Sequence, residues 1–112
     1  CDRRQRQMCI RDSSERDAEK LLVSKIKKLG GRAYKFTSPG SAGVPDRIII
    51  LPGGYVEFVE MKSETGMLSV LQKICISHLR ALGCHVEVLY GVKDVDTYVT
   101  RVKKMIKNGG AV

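Results

Sequence analysis

Residues 47–59 constrain this chain more than any other stretch. Arg47-Ile48-Ile49-Ile50-Leu51 and Tyr55-Val56-Glu57-Phe58-Val59 are two β-branched and aromatic runs separated only by Pro52-Gly53-Gly54. Such runs joined by a short glycine turn read as a β-hairpin. Centred on Gly53, the hairpin sets Asp46, seven residues before the centre, opposite Glu60, seven after it. Cross-strand partners share a face, with Cβ atoms about 5 Å apart. Lys62 shares that face with Glu60 by the strand period of two. Two carboxylates so placed repel each other unless a cation lies between them, and hard divalent ions take oxygen ligands. The pattern therefore points to a metal site on an otherwise apolar hairpin.

A chain of 112 residues is the size of one domain with a modest core. No apolar run approaches the ~20 residues needed to span a bilayer, and no apolar stretch follows the basic start as in a signal peptide. A net charge of +8 suggests a polyanionic partner. Cys75 and Cys84 lie among apolar residues, which suggests buried thiols in a reduced, cytoplasmic setting. Cys75, His78, Cys84 and His85 do not fit zinc-finger spacing, because the first pair falls mid-helix and the second opens a strand. The run Met8-Cys9-Ile10-Arg11-Asp12-Ser13 resembles a translated transposon adapter, so residues 1–13 read as a non-native or disordered tail. Without their four Arg and two Asp the net charge is still +6.

The native domain is then expected over residues 14–108, with a short tail at 109–112. Ser14, with Asp17 three residues on, reads as a helix cap, and Ala18, Leu22, Ile26 and Leu29 supply an apolar stripe ended by Gly30-Gly31. A short strand over 32–36, the Gly/Ser/Pro-rich loop 37–44, the hairpin and a loop over 63–67 follow. Ser69 and Gln72 have capping-box spacing. They open a helix whose buried stripe is expected to be Leu68, Leu71, Cys75, Leu79 and Leu82. A strand over 85–90 and a helix from Asp94 to Lys107 complete the order helix, three strands, helix, strand, helix.

Phosphodiester hydrolysis would use this set of groups. Asp46 and Glu60, with the backbone carbonyl of Met61 as a third oxygen, could hold Mg²⁺ or Mn²⁺. Lys62 could orient a water or stabilise charge on the phosphoryl oxygens, although a plain Glu60–Lys62 ion pair is the alternative. Glu19 faces the edge of the first helix's apolar stripe. It is read either as a surface partner of Lys20 or Lys27, or as an acid leaning over the hairpin toward Lys62 or a second cation.

The order Glu19, Pro45-Asp46, Glu60-Met61-Lys62, Gln72 resembles the PD-(D/E)xK nuclease superfamily. Within it, Ala18-Glu19-Lys20, Leu29-Gly30-Gly31, Tyr34-Lys35-Phe36, Gly43-Val44-Pro45-Asp46-Arg47, Phe58-Val59-Glu60-Met61-Lys62 and Leu68-Ser69-Val70-Leu71-Gln72 are similar to the VRR-NUC domain, the virus-type replication-repair nuclease. The resemblance implies a restriction-endonuclease-like α/β core, a mixed four-stranded sheet flanked by helices, here with a C-terminal helix added. It also implies Asp46 and Glu60 as metal ligands, Lys62 as the catalytic lysine, Glu19 as a supporting acid and Gln72 as a positioning residue. By analogy with stand-alone phage and bacterial members, the expected activity is a Mg²⁺- or Mn²⁺-dependent endonuclease on branched DNA, acting as a homodimer. Lys35, Arg47, Lys73 and Ser41 of the glycine-rich loop are the expected nucleic-acid contacts. A catalytically silent DNA-binding module, or a nuclease acting on RNA or plain duplex DNA, are the alternatives.

Overall fold

The computed structural model describes residues 3–108, with side chains from residue 15 onward. The elements run α1 (Arg3–Lys28), β1 (Arg32–Lys35), β2 (Arg47–Leu51), β3 (Tyr55–Lys62), α2 (Val70–Ala81), β4 (His85–Tyr90) and α3 (Gly91–Lys107). The sheet has spatial order β1-β2-β3-β4, with the first two pairings antiparallel and β3–β4 parallel. This is the mixed four-stranded α/β core with flanking helices and a C-terminal helix that the sequence led us to expect. The parallel step requires a crossover, which α2 supplies.

The hairpin register follows the turn. Every pair from Leu51↔Tyr55 to Arg47↔Val59 is symmetric about Gly53. Gly53 and Gly54 have φ of +92° and +82°, a region open to glycine, and the Gly54 N–H donates to the Leu51 carbonyl at 3.1 Å. The ladder ends at Arg47, so Asp46 lies one step beyond it.

One face of the sheet carries the core. Ala18, Leu22 and Ile26 recur every four residues on α1 and are fully buried against Ile49 and Leu51 of β2, Val59 and Met61 of β3, Leu89 of β4 and Val95, Tyr98 and Val102 of α3. The opposite face is covered only in part by α2, whose single buried residue is Ile76. That helix departs from its expected stripe: Leu71 and Leu82 are exposed at 56% and 81%. Apolar residues stand nearly all round α2, so contact with β4 rather than periodicity selects the buried side. Cys75 and Cys84 are half-buried rather than buried, and both are free thiols.

Two helix starts also differ from expectation. No Gly or Pro interrupts the chain before Gly30, so α1 extends back to Arg3 and Ser14 lies inside it rather than capping it. Residues 3–13, expected as a tail, are thus helical in backbone. Asp94 lies in the first turn of α3 instead of opening it, and its carboxylate accepts the Tyr90 N–H at 2.8 Å. Among the described residues, no helix is long and apolar enough to cross a membrane.

Candidate active site

The site forms where β2 begins and β3 runs on past it. Alternation along β3 sends Val59 and Met61 into the core and Phe58, Glu60 and Lys62 to the α2 face. Asp46 joins that face because its neighbour Arg47 points the other way, toward α1. Both Asp46 carboxylate oxygens accept the Met61 N–H at 3.2 Å. The N–H and C=O of one strand residue point to the same side. The Met61 carbonyl is therefore directed toward the Asp46 end, past the last β2–β3 pair.

Glu60 is 4% exposed. Its carboxylate lies 3.7 Å from the Lys62 Nζ and accepts a 3.1 Å hydrogen bond from the Gln72 Nε2. Gln72 also completes the α2 capping box: its Oε1 accepts the Ser69 N–H at 2.9 Å, and its own N–H donates to the Ser69 hydroxyl at 3.1 Å. The contacts that both expected roles of Gln72 call for are present together: the amide oxygen accepts in the cap and the amide nitrogen donates to Glu60. The loop leading to Asp46 is seated on the same helix. Gly43 has φ +87°, and a Cβ there would fall 2.5 Å from the Leu71 carbonyl oxygen. Glycine is needed for that approach.

Electrostatics mark the two acids. Burial raises the Asp46 pKa from 3.8 to about 6, with Glu19 adding repulsion and the Met61 N–H opposing the rise. Burial, then the Asp46 charge, raises Glu60 from 4.5 to about 7, with Lys62 pulling the other way. The lysine thus compensates only part of the charge. Hard oxygen donors left under-compensated suit Mg²⁺ or Mn²⁺, which keep several waters and need few protein ligands. Asp46, Glu60 and the Met61 carbonyl fit that demand. Among the described residues no third acidic, histidine or cysteine ligand completes a cluster of three.

Glu19 does not pair with Lys62, Lys20 or Lys27. Its carboxylate accepts from the Arg47 Nε at 3.1 Å and from a second guanidinium nitrogen, while the Arg47 Nη1 donates to the Ala33 carbonyl at 3.1 Å. Strand alternation accounts for this: Arg47 faces α1, and Glu19 meets it there. Arg47 and Lys35 share a groove with Arg16, Lys20 and Lys27, of which the sequence pattern offers Lys20 and Lys27 only as partners for Glu19. Their spacing along α1 was available as a signal, but which element the helix packs beside was not. Lys73 of α2 lines a hollow with the 64–68 loop and Tyr90. Ser41 occupies the exposed loop, where its N–H closes a turn onto the Ser38 carbonyl at 3.1 Å.

Paired acids and a lysine at the open end of a mixed sheet, with a glutamine from the next helix, define a nuclease domain. The VRR-NUC domain family model matches residues 3–93. A solved VRR-NUC domain structure superimposes with a TM-score of 0.73 at 31% identity, covering 78% of this chain and 95% of that one. "Putative nuclease p44" of Acyrthosiphon pisum secondary endosymbiont phage 1 is 48% identical over 75 residues, 67% of this chain and 81% of the phage protein. The chain belongs to the VRR-NUC family.

Proposed function

We propose that this protein is a divalent-metal-dependent endonuclease that hydrolyses DNA phosphodiester bonds, with branched DNA such as four-way junctions as its preferred substrate. The observation that carries the reading is the juxtaposition of Asp46 and Glu60, both held above the usual carboxylate range, with Lys62 at 3.7 Å from Glu60. Asp46, Glu60 and the Met61 carbonyl would hold Mg²⁺ or Mn²⁺. Such an ion, when bound, polarises the scissile phosphate and lowers the pKa of a coordinated water. Lys62 donates hydrogen bonds to the attacking water or to the phosphoryl oxygens as charge develops on them. Gln72 fixes the Glu60 carboxylate through its Nε2, and the Met61 N–H fixes that of Asp46. The positive net charge of +8 favours a polyanionic substrate.

Cutting a symmetric junction on both sides requires two sites, and each chain supplies one. We therefore place a second copy in the working assembly. Exposed Val70, Leu71 and Ile74 on α2, beside the site helix's capping box, are apolar surface that such a copy could cover. Sedimentation with and without DNA checks this, and a monomer under both conditions removes it.

The decisive assay is cleavage of matched junction, flap, linear duplex and RNA substrates in Mg²⁺ or Mn²⁺. Junction cutting lost in Asp46→Ala and in Lys62→Ala is the expected result. Undiminished cutting in EDTA, or in both variants, would refute the mechanism. Faster cutting of RNA or linear duplex would reassign the substrate, and tight binding without cleavage would leave a binding module.

A further inference from the structure

Beside the site, α1 and β1 enclose an open groove of about 530 Å³. Arg16, Lys20 and Lys27 line it from α1 and Lys35 from β1, together with Glu19 and Arg47. Arg16, Lys20 and Lys27 stand at i, i+4 and i+11, hence on one helix face, and span about 16 Å at the helical rise. That length matches roughly five phosphates of one strand measured along a B-form axis. Glu19, the groove's one acidic lining residue, is already neutralised by Arg47. Among the described residues, Arg16, Lys20, Lys27 and Lys35 enter no ion pair.

We infer that this groove is the track for the phosphate backbone of one DNA strand, with Arg16, Lys20, Lys27 and Lys35 as its contacts. The inference builds on the reading of the protein as a DNA nuclease and adds where the substrate lies. One connection ties the track to the reaction site: Arg47, which lines the groove, is the residue next to Asp46 in the chain. A strand seated along α1 passes Arg47 at the end of the sheet, one residue from Asp46 on the other face. A rival basic surface exists on the far side, where Lys25, Lys103, Lys104 and Lys107 line a hollow with Asp96. There Lys25 is committed to Asp96 at 3.5 Å, and no residue of the reaction site takes part. The contrast favours the α1–β1 groove.

The test is fluorescence anisotropy of a labelled 30-base-pair duplex and a four-way junction in EDTA, so that binding is read without cutting. Lys20→Glu/Lys27→Glu is compared with Lys103→Glu/Lys104→Glu, which makes the same change in net charge. The groove pair is expected to weaken binding at least about tenfold and to flatten the slope of log affinity against log salt by about 2. The α3 pair should change affinity less than about threefold. Equal losses in the two variants, or wild-type affinity in the groove variant, would overturn the inference. Circular dichroism confirms folding, and Lys20→Gln/Lys27→Gln replaces the reversal if stability falls. Because the readout is binding, a protein that cuts nothing yet loses affinity through the groove variant would uphold the track while rejecting the nuclease reading.

Discussion

Glu57 and Glu60 lie three residues apart on β3, on opposite faces of the sheet, at 5% and 4% exposure. Glu57 faces α3, where the Tyr98 hydroxyl donates to it at 2.8 Å and Arg101 at 2.7 Å. In return, burial and the Glu57 charge hold the Tyr98 hydroxyl firmly protonated. Glu60 faces α2 and receives the Gln72 amide, a backbone hydrogen bond at Asp46 and a lysine 3.7 Å away, with the Asp46 carboxylate beside it. Buried charge is costly unless its partners are complete. Glu57 is an acid whose partners the fold has completed, and Glu60 is one whose charge the fold leaves partly open. The cation binding we propose for this site calls for the second kind.

The largest test of this contrast is to neutralise each acid in turn. Glu60→Gln should reduce cleavage at least about a hundredfold while leaving thermal stability at pH 8 unchanged or higher. Glu57→Ala should leave activity per folded molecule near that of the wild type and lower stability by about 2 kcal/mol, because Arg101 and Tyr98 lose a charged acceptor. Cleavage assays and denaturant melts of the two variants check both halves. A stability loss in Glu60→Gln matching that of Glu57→Ala would erase the distinction.

A second test uses pH. Asp46 and Glu60 have folded pKa values near 6 and 7, above their ordinary 3.8 and 4.5. The folded protein therefore binds more protons than the unfolded chain between about pH 4 and 7. Without metal, stability contributed by these two groups falls as pH rises through that window and stays low above it. A cation held by the same carboxylates offsets that loss, and protons compete with it. The rise in Tm caused by Mg²⁺ or Mn²⁺ should be small at pH 5 and several degrees at pH 8. A shift independent of pH, or one surviving in Asp46→Ala, would mean the ion binds elsewhere.

These faces were unequally legible in the sequence. The hairpin register was readable because Pro52-Gly53-Gly54 permits one close turn, and period-two alternation then carries Asp46, Glu60 and Lys62 to one side. Glu57 gave no comparable signal: its partners are 41 and 44 residues away, and no local pattern links them. The same distinction explains α2 and the basic groove. Leu71 and Leu82 satisfy helical periodicity, yet which side of an apolar helix is covered depends on β4. Arg16, Lys20 and Lys27 were legible as a stripe, but only the packing of α1 beside β1 makes them a groove.

The finest test separates the two jobs of Gln72. Gln72→Glu keeps a side-chain oxygen for the Ser69 N–H, so the capping box survives, but it removes the amide donor to Glu60 and sets a third carboxylate beside the pair. Gln72→Ala removes the side-chain half of the cap and the donor together, while its backbone N–H still reaches the Ser69 hydroxyl. If the cap alone matters, Gln72→Ala should cost about 1 kcal/mol of stability while Gln72→Glu costs almost nothing, and both should cut DNA normally. If the amide also positions Glu60, both variants should lose roughly tenfold in cleavage rate. Gln72→Glu alone should then bind the ion more tightly at pH 8, because it adds negative charge to the pocket. Calorimetric titration with Mn²⁺ alongside single-turnover cleavage separates these outcomes. Equal, wild-type values of both in Gln72→Glu would reduce Gln72 to a helix cap.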